Sequence, residues 1–358
     1  MKRFLSFVFA LVIFSCTPKE ENIKSYFGIS ISKARLDKHL QQRMQELNIP
    51  GMSIAFINDG EIVHMTSFGY ASVEERIPVD LNTIFEAASL SKPVFSFFVM
   101  NYVDAGKLDI DSPLYQILPN PAIEQDERYK KITARMALSH QTGFPNWRDD
   151  YPDKSLFLLF EPGKGFHYSG EGYQYLAEVL KDIDKTDWED LDANFQLQVC
   201  QPLGLKNSAF LLNDQLKTIK ARPYNENGDW ISPEIDADSL YRKQFRSPAS
   251  LHTDIQDLSR WLQALMEREG LSKNSYKELF SPQSDAGKNG PFNVHYTLGF
   301  FHPQIPFTNL YMHGGNNLGF TAYFVLDPNK KWGFALLTNS EFGEELGNEL
   351  LQFMAFGR

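Results

Sequence analysis

The chain has 358 residues, of which 42% are hydrophobic and 22% are charged, as in an ordinary globular protein and unlike a disordered or fibrous one. One hydrophobic core rarely supports a chain of this length, so two lobes are expected. The formal net charge is −10, and no basic run follows the first three residues. A nucleic-acid-binding function is therefore disfavoured, because it requires a clustered positive surface.

The first residues have the pattern of an export signal. After a positively charged start, Phe4 to Phe14 forms a nearly unbroken apolar run that is too short to cross a bilayer as a helix. The small residue before Cys16 resembles the bacterial lipoprotein signal, in which the cysteine receives the lipid. We therefore expect a signal peptide at 1–15, a lipid on Cys16 and a tether at 16–32. Cleavage nearby without lipid is the alternative.

This N-terminus predicts the location of the protein and its cysteine chemistry. A lipid on Cys16 would attach an exported chain to the cell-envelope membrane, facing the periplasm or the outer surface. Cys200 is the only other cysteine, so it would have no partner within the chain, and the fold would hold without disulfides. At the end of a helical pattern, Cys200 is expected to be a buried packing thiol.

Helix and strand patterns alternate in the first part of the chain. Apolar residues recur at helical spacing over residues 33–47. Two β-rich runs follow, Gly51 to Ile57 and Ile62 to Tyr70, and the Asp59-Gly60 pair between them predicts a hairpin. Phe85 to Val103 is apolar almost all round and predicts a buried helix.

The rest of the chain divides into a helical middle and a strand-rich end. The middle predicts helices at Ile132–Ser139, Gly172–Ile183, Trp188–Val199 and Asp254–Met266. The last hundred residues predict strands at Tyr296–Phe301, Leu310–His313, Gly319–Leu326 and Trp332–Thr338, and a helix at Glu344–Met354. We therefore predict an α/β (α+β) fold with an antiparallel sheet flanked by terminal helices. A helical lobe at 119–267 is inserted between 33–118 and 268–358.

Ser89 and Lys92 form the first candidate for catalysis. A serine hydroxyl needs a base to become nucleophilic, and residues three apart share one face of a helix. Pro93 is tolerated only in the first turn of a helix, so the helix should begin near Ser89. The apolar residues Val94 to Val99 would bury Lys92 and favour its neutral amine.

A second Ser-x-x-Lys string occurs at Ser30 to Lys33. Such a string is expected on the order of once by chance in a chain of this length. Because Ser30 precedes an amphipathic helix near the tether, we expect it to cap that helix. Ser89 is preferred as the nucleophile because a buried helix follows it.

Two glycine-containing segments could complete a site. Tyr168 lies in a turn that enters a helix, and a tyrosine beside a cationic lysine ionises more easily and can shuttle a proton. His313-Gly314-Gly315-Asn316 ends a strand pattern, where glycines allow close approach to the backbone. The N–H groups of Ser89 and Asn316 could form an oxyanion hole. Taken singly, each segment is explained better by a structural interpretation, a turn with a packed tyrosine and a satisfied edge histidine.

Other kinds of site lack support in the sequence. No clustered His or Cys spacing of a metal site is present, and phosphate loops are absent. The chain also lacks a Gly-x-Ser-x-Gly elbow, which disfavours an α/β-hydrolase.

The order of the three segments resembles the serine β-lactamase and penicillin-binding protein superfamily. The similarity is to the branch with class C β-lactamases, D-alanyl-D-alanine carboxypeptidases, D-aminopeptidases and related esterases. The residues that carry it are Ser89-x-x-Lys92, Tyr168-Ser169-Gly170 and His313-Gly314-Gly315, with similar segments at Ile54-Ala55-Phe56, Ser139-His140-Gln141-Thr142-Gly143 and Ser247-Pro248-Ala249. It implies a β-lactamase/transpeptidase-like catalytic domain at 33–358.

The resemblance also implies roles for these residues. Ser89 would attack a carbonyl to form an acyl-enzyme, Lys92 and Tyr168 would relay its proton, and water would release the acid. Substrate would contact His313, Gly315, Asn316 and Gly170, and the N–H groups of Ser89 and Asn316 would hold the oxyanion. No metal or organic cofactor is required, and the partner is a small-molecule or peptide acyl substrate.

Two positions depart from the pattern of the superfamily. Gly170 replaces the asparagine of Tyr-x-Asn, whose amide normally contacts the substrate and the lysine. His313 stands where many β-lactamases carry lysine, as in the peptidase and esterase members, and its charge is expected to vary near neutral pH.

Two functional hypotheses follow. The first is a serine hydrolase that acts on an ester, a D-amino-acid peptide or a β-lactam-like substrate. The second is a weakly active or inactive lipoprotein that binds cell-wall peptide or a protein partner in the same pocket.

Overall fold

A computed structural model describes residues 21–232 and 245–357. The predicted signal peptide at 1–15 and Cys16 lie outside the described residues. Within the described ranges, no helix combines the length and the apolar character that a membrane crossing requires.

A nine-stranded antiparallel sheet forms the centre of the molecule. The strands of the described chain are β1 Asn22–Lys24, β2 Ser30–Ser32, β3 Gly51–Asn58, β4 Glu61–Ser72, β5 Ile77–Pro78, β6 Phe85–Glu86, β7 His252–Thr253, β8 Ser284–Asn289, β9 Phe292–Tyr296, β10 Phe301–Pro303, β11 Tyr311–Asn317, β12 Phe320–Asp327 and β13 Trp332–Thr338. In the large sheet their order is β5-β4-β3-β13-β12-β11-β10-β9-β8. The pairing of β3 with β13 confirms a sheet built from both ends of the chain.

Helices cover both faces of this sheet. They are α1 Lys33–Glu46, α2 Ser91–Asp104, α3 Ala134–Leu138, α4 Gly170–Asp184, α5 Trp188–Phe195, α6 Gln201–Leu203, α7 Asp214–Thr218, α8 Ile255–Glu267, α9 Lys273–Phe280 and α10 Gly343–Phe356. A π-helical turn, Gln196–Cys200, joins α5 to α6. The mixed architecture and the terminal helices confirm the predicted fold class.

Two hydrophobic cores lie on opposite faces of the sheet. Side chains alternate between the two faces of a strand, so Tyr323 and Val325 of β12 pack with α1 and α10. Phe324 and Leu326 of the same strand point to the opposite face, where they join the core that includes α2, α4 and α8. The helix that follows Ser89 is therefore buried between the sheet and the helical lobe.

Helix α8 lies inside the predicted helical lobe, 119–267, but packs mainly on the sheet. It contacts β3, β4 and β13, and its Leu258, Leu262 and Leu265 belong to the core on that face of the sheet. Its apolar stripe faces mainly strands, a choice of partner that a helical period does not reveal.

The predicted tether also ends earlier than residue 32. Strands β1 and β2 pair with each other, and Ile23 and Ile31 are buried in the core that contains α1 and α10. Burial of these isolated apolar residues ties the segment to the body of the protein. Ser30 lies in β2 and does not cap α1, whose N-cap residue is Ser32 without a side-chain capping bond.

Two predicted elements have different bounds. The helix expected from Phe85 begins only at Ser91, because Phe85–Glu86 pairs with β7. The strand expected at Tyr296–Phe301 is two strands, β9 and β10, joined by a turn at residues 297–300. Gly299 in this turn has a φ of +101°, and a Cβ there would lie 2.7 Å from the Oγ of Ser96 in α2. The apolar sequence continues through residues 297–300 because this turn is itself buried.

Candidate active site

Ser89 lies on a 3₁₀ turn, Ala88–Leu90, directly before α2. Pro93 is the third residue of this helix, as its tolerance for the first turn predicts. Ala88 has a φ of +47°, a strained conformation for a residue with a side chain, and such strain clusters at functional sites. The hydroxyl of Ser89 is thereby presented at the N-terminal end of a buried helix.

Lys92 lies behind Ser89 and is buried. Its Nζ is 3.1 Å from the Oγ of Ser89 and donates to the carbonyl oxygen of Pro248 at 3.0 Å. The loop with Pro248 is tied to α2, because Leu251 donates its N–H to the Oγ of Ser91 at 2.9 Å. Burial holds the pKa of Lys92 well below the ordinary value for lysine, which favours the neutral amine.

Tyr168 comes to the same point from the helical lobe. Its hydroxyl interacts with the side chain of Ser89, and its ring centroid lies 4.4 Å from the Nζ of Lys92. Burial raises the pKa of Tyr168, and the interaction with Ser89 only partly opposes this. Burial therefore works against the expected ionisation of Tyr168, and the neutral amine of Lys92 is the group of this pair that can accept a proton.

His313 is buried in β11 on the face of the sheet that carries Ser89. Its Nε2 lies 3.1 Å from the hydroxyl of Tyr296, and its Nδ1 lies 2.6 Å from the carbonyl oxygen of Gly314. Burial lowers the pKa of His313 to about 3, and Lys92, when it carries a charge, acts in the same direction. The expected change of charge near neutral pH is therefore contradicted, and the ring is neutral at physiological pH.

Gly315 brings β11 against the turn that carries Ser89. A Cβ at Gly315 would lie 2.6 Å from the backbone nitrogen of Ser89 and 2.7 Å from the carbonyl oxygen of Ala87. Only a glycine leaves room for this approach of two backbone segments. Asn316, the next residue, is exposed and pairs in register with Thr321 of β12.

Gly170 is the predicted site residue that the structure does not bring to the cleft. It begins α4, where its N–H donates to both the carbonyl oxygen and the Oδ1 of Asn146, at 3.0 and 2.9 Å. A Cβ at Gly170 would lie 2.6 Å from the ring of Trp147. The indole therefore covers the space into which an asparagine side chain would project.

A cleft of about 540 Å³ opens in front of Ser89. It is bounded by Ser89, Tyr168, His313, Gly315 and Asn316 at the reacting centre, and by Lys288, Asn289, Phe301, Met312, Tyr323, Glu344 and Asn348 farther out. Strand β10 pairs with β11 only at Phe301 and Met312. Beyond Met312, no described strand pairs with this edge of β11, so an extended substrate can lie along it.

Asn317 is a site residue that the sequence reasoning missed. Its side-chain amide donates to the Oε2 of Glu86 at 2.8 Å and to the carbonyl oxygen of Ala249 at 3.3 Å. Glu86 directly precedes the turn with Ser89, and Ala249 follows the carbonyl that holds Lys92. The amide thus joins β11 to the segment before Ser89 and to the loop at Pro248. In the sequence, only its position beside Asn316 indicated that Asn317 could belong to the site.

His140 was also missed, although its segment belonged to the resemblance. Its Nδ1 accepts the N–H of Ser169 at 3.0 Å, and its carbonyl oxygen accepts the N–H of His167 at 2.9 Å. The buried ring packs 4.2 Å from the ring of Tyr168, centroid to centroid. These contacts hold the backbone on both sides of Tyr168.

Within residues 21–232 and 245–357, no group of three His, Cys, Asp or Glu side chains is arranged to hold a metal ion.

Comparison with protein families and curated proteins supports one lineage. The sequence profile of the family described as Beta-lactamase matches residues 36–357. Protein flp of Staphylococcus aureus (strain N315) is 21% identical over 340 residues, which cover 89% of this chain and 66% of that protein. Penicillin-binding protein 4* of Bacillus subtilis (strain 168) is 24% identical over 348 residues, covering 88% and 74%. The chain thus spans just under two thirds of the length of the flp protein.

Solved structures show the same fold. A penicillin-binding protein homologue from Pyrococcus abyssi has a TM-score of 0.78 at 21% identity, covering 91% of this chain and 77% of that one. The hydrolase EstCE1, described as having promiscuous acyltransferase activity, has a TM-score of 0.73 at 22% identity and coverage of 90% and 97%. D-alanine carboxypeptidase AmpC from Burkholderia cenocepacia has a TM-score of 0.74 at 16% identity and coverage of 90% and 99%.

Proposed function

The chain belongs to the beta-lactamase family, and from this we propose that it is a serine hydrolase that forms an acyl-enzyme on Ser89. The observation that carries the proposal is the convergence of three distant segments on one hydroxyl. The Nζ of Lys92 lies 3.1 Å from the Oγ of Ser89, and the hydroxyl of Tyr168 interacts with the same side chain. A serine held by two proton-transfer groups at a helix N-terminus is an activated nucleophile.

In the first half of the reaction, neutral Lys92 takes the proton of Ser89 while the Oγ attacks the substrate carbonyl carbon. The N–H groups of Ser89 and Asn316 stabilise the oxyanion, which the close approach at Gly315 supports. As the carbonyl re-forms, the bond to the leaving group breaks. Tyr168 gives that group a proton and regains one from Lys92.

In the second half, water attacks the acyl-enzyme. The same pair accepts a proton from the water, and the bond between the acyl carbon and Ser89 breaks. Ser89 regains its proton and the carboxylic acid leaves. No metal or organic cofactor takes part in these steps.

Among ester, D-amino-acid peptide and β-lactam-like substrates, an uncharged ester fits the inner cleft best. His313 replaces a lysine and is held neutral by burial, so it offers no positive charge to a substrate carboxylate. The amide expected at Gly170 is also missing, because Trp147 fills its space. Efficient binding of a peptide terminus or a β-lactam depends on groups of this kind.

The experiment uses a fluorophosphonate probe and a nitrophenyl ester with the full chain. Ser89→Ala is expected to abolish labelling and to lower ester turnover by on the order of 10⁴-fold or more. Ser30→Ala is the matched control, because it alters the other Ser-x-x-Lys string and should leave both readouts unchanged. A folded wild type that neither labels nor turns over esters, D-aminoacyl amides or nitrocefin would favour a binding protein instead.

Export and lipidation remain part of the proposal. The apolar run before Cys16 and the small residue preceding it support them. The expected result is a lipid-modified Cys16 in the mass spectrum of the chain purified from membranes. Cys16→Ala should shift the chain to the aqueous fraction.

A further inference from the structure

Four large apolar side chains are exposed near the point where the described chain begins. Phe27 is 50% exposed, Ile29 is 47%, Phe356 is 56% and Phe307 is 94%. We call these four residues the apolar face. Single exposed apolar residues are ordinary, but several gathered on one surface indicate a binding partner.

Contacts between the chain termini gather three of these residues. The rings of Phe27 and Phe356 stack with centroids 5.9 Å apart, and the N–H of Tyr26 donates to the carbonyl oxygen of Met354 at 2.7 Å. Ile29 lies against the last turn of α10, since a Cβ at Gly357 would be 3.0 Å from its side chain.

The carboxylate of Asp327, which is buried, links the loop of the fourth residue, Phe307, to this group. The Oδ2 of Asp327 accepts the hydroxyl of Tyr26 at 2.7 Å and the N–H of Asn309 at 3.3 Å. The loop that carries Phe307 is therefore held beside the segment that carries Phe27. Phe307 itself is almost completely exposed, so its side chain has no packing role within the described chain.

A cation lies among these aromatic residues. The exposed Lys330 places its Nζ 3.8 Å from the ring centroid of Tyr26 and 5.3 Å from that of Phe27. The neighbouring charges of Lys24 and Lys33 are paired with Asp59 and Glu21. Aromatic rings beside a lysine match the boundary between acyl chains and phosphate groups in a bilayer.

The N-terminal chain limits how far this face can be from a membrane. Four residues lie between Cys16 and Glu21, and the five residue steps that join these two positions span at most about 18 Å when fully extended. From Asn22 onward the chain is fixed to the body, because β1 pairs with β2 and Ile23 is buried. A lipid on Cys16 would therefore hold Glu21 within that reach of the bilayer, with the apolar face one short hairpin, β1–β2, farther along the chain.

We propose that the apolar face rests on the surface of a phospholipid bilayer, with Lys330 at the phosphate groups. This inference rests on the lipidation proposed above. A face of this kind adds a second membrane contact to the lipid anchor and turns a flexible attachment into an oriented one.

The orientation has a consequence for substrate access. Strand β12 runs from Thr321, beside Asn316 at the cleft, to Asp327, beside the apolar face. These residues are six positions apart along the strand, so the reacting centre lies up to roughly 20 Å from the apolar face, towards the opposite end of the strand. The docked enzyme would take its substrate from the aqueous side and not from the lipid.

The test is amide hydrogen exchange on the full chain purified from membranes and reconstituted in phosphatidylcholine vesicles with and without phosphatidylglycerol. Residues 26–30, 305–309 and 353–357 should exchange on the order of tenfold more slowly in the wild type than in Phe27→Ser/Phe307→Ser. Both proteins should float with the vesicles, because the variant keeps its anchor. The control Leu159→Ser/Leu197→Ser removes two exposed leucines elsewhere and should behave as wild type.

Each other outcome overturns the proposal in a distinguishable way. If the wild type floats but these segments exchange as fast as in the variant, the lipid anchor is supported and the docking of the apolar face is contradicted. Protection that grows with protein density on the vesicle, and not with lipid contact, would assign the face to a second copy of the chain. Failure of the wild type to float would overturn both anchor and docking, whereas ester turnover by Ser89 would remain independent of this result.

Discussion

At the residue scale, the site works by burying side chains that carry charge in water. Burial lowers the pKa of Lys92 and of His313 and raises that of Tyr168. Burial thus favours the neutral form of all three groups, and with it a cleft that does not hold two positive charges side by side. Proton transfer from Ser89 to Lys92 then creates the first charge at the moment when the oxyanion forms.

The lowered pKa of Lys92 predicts the shape of the pH profile. Neutral amine is present above this pKa, so kcat/KM for an ester should stay high through neutral pH and fall as the pH drops through it. Lys92→Arg should be inactive throughout, because guanidinium does not lose its proton. A wild-type rate that rises only near the ordinary lysine pKa, about 10.4, would show that Lys92 is protonated at neutral pH.

The close approach at Gly315 predicts a large effect from one methyl group. Gly315→Ala would place its Cβ 2.6 Å from the nitrogen of Ser89, so β11 and the nucleophile turn must separate. Loss of the oxyanion geometry should lower kcat by about 10²- to 10³-fold. Gly314→Ala is the matched control, because its Cβ would meet ordinary contacts at 3.5 and 3.9 Å. Equal kcat values in the two variants would contradict this account.

At the scale of elements, the junction of α4 with the preceding loop explains the altered second motif. The N-cap residue Ser169 accepts the N–H of Gly172 at 3.0 Å and donates to the carbonyl oxygen of Pro145 at 2.8 Å. Asn146 accepts the N–H of Gly170. Because the loop is held this close, Trp147 lies on the first turn of α4. Position 170 must therefore be glycine, since a Cβ there would overlap the indole.

This packing predicts that the motif cannot be restored by one substitution. Gly170→Asn should destabilise the fold by about 1–3 kcal/mol, because its Cβ overlaps the indole of Trp147. Ester turnover should not rise. Denaturant unfolding measures the loss, and the same change in a Trp147→Ala background should cost less. A stable Gly170→Asn protein with improved β-lactam turnover would contradict the assignment of Trp147.

At the scale of the whole molecule, stability comes from two apolar cores on opposite faces of one sheet. Cys200 is a buried free thiol, as expected from its helical pattern, and burial raises its pKa. The described chain is therefore held together by packing and hydrogen bonds without a cross-link.

Thermal unfolding is accordingly expected to be insensitive to reductant. The Tm with and without dithiothreitol should agree, and iodoacetamide should label Cys200 only in the unfolded protein, since a buried protonated thiol does not react. Cys200→Ser is expected to lower the Tm, because the smaller hydroxyl fills this buried site less well than the thiol, which lies 3.6 Å from the carbonyl oxygen of Ser208. Rapid labelling of native protein at Cys200 would contradict the burial.

Local patterns by themselves determined most of the architecture. Period-two strands, the Asp59-Gly60 turn, the amphipathic helices and the Ser89 to Lys92 spacing are properties of short segments, so they are legible in one dimension. Proline at the start of α2 placed the nucleophile, and the order of the motifs implied which segments meet.

Only the tertiary structure decided what those segments touch. The neutral state of His313, the cover of Trp147 over Gly170, the role of Asn317 and the attachment of the predicted tether all come from residues far apart in the chain. The packing partner of α8 has the same origin. The physical reason is that desolvation and steric exclusion depend on every neighbour in space, whereas periodicity records only which side of an element is apolar.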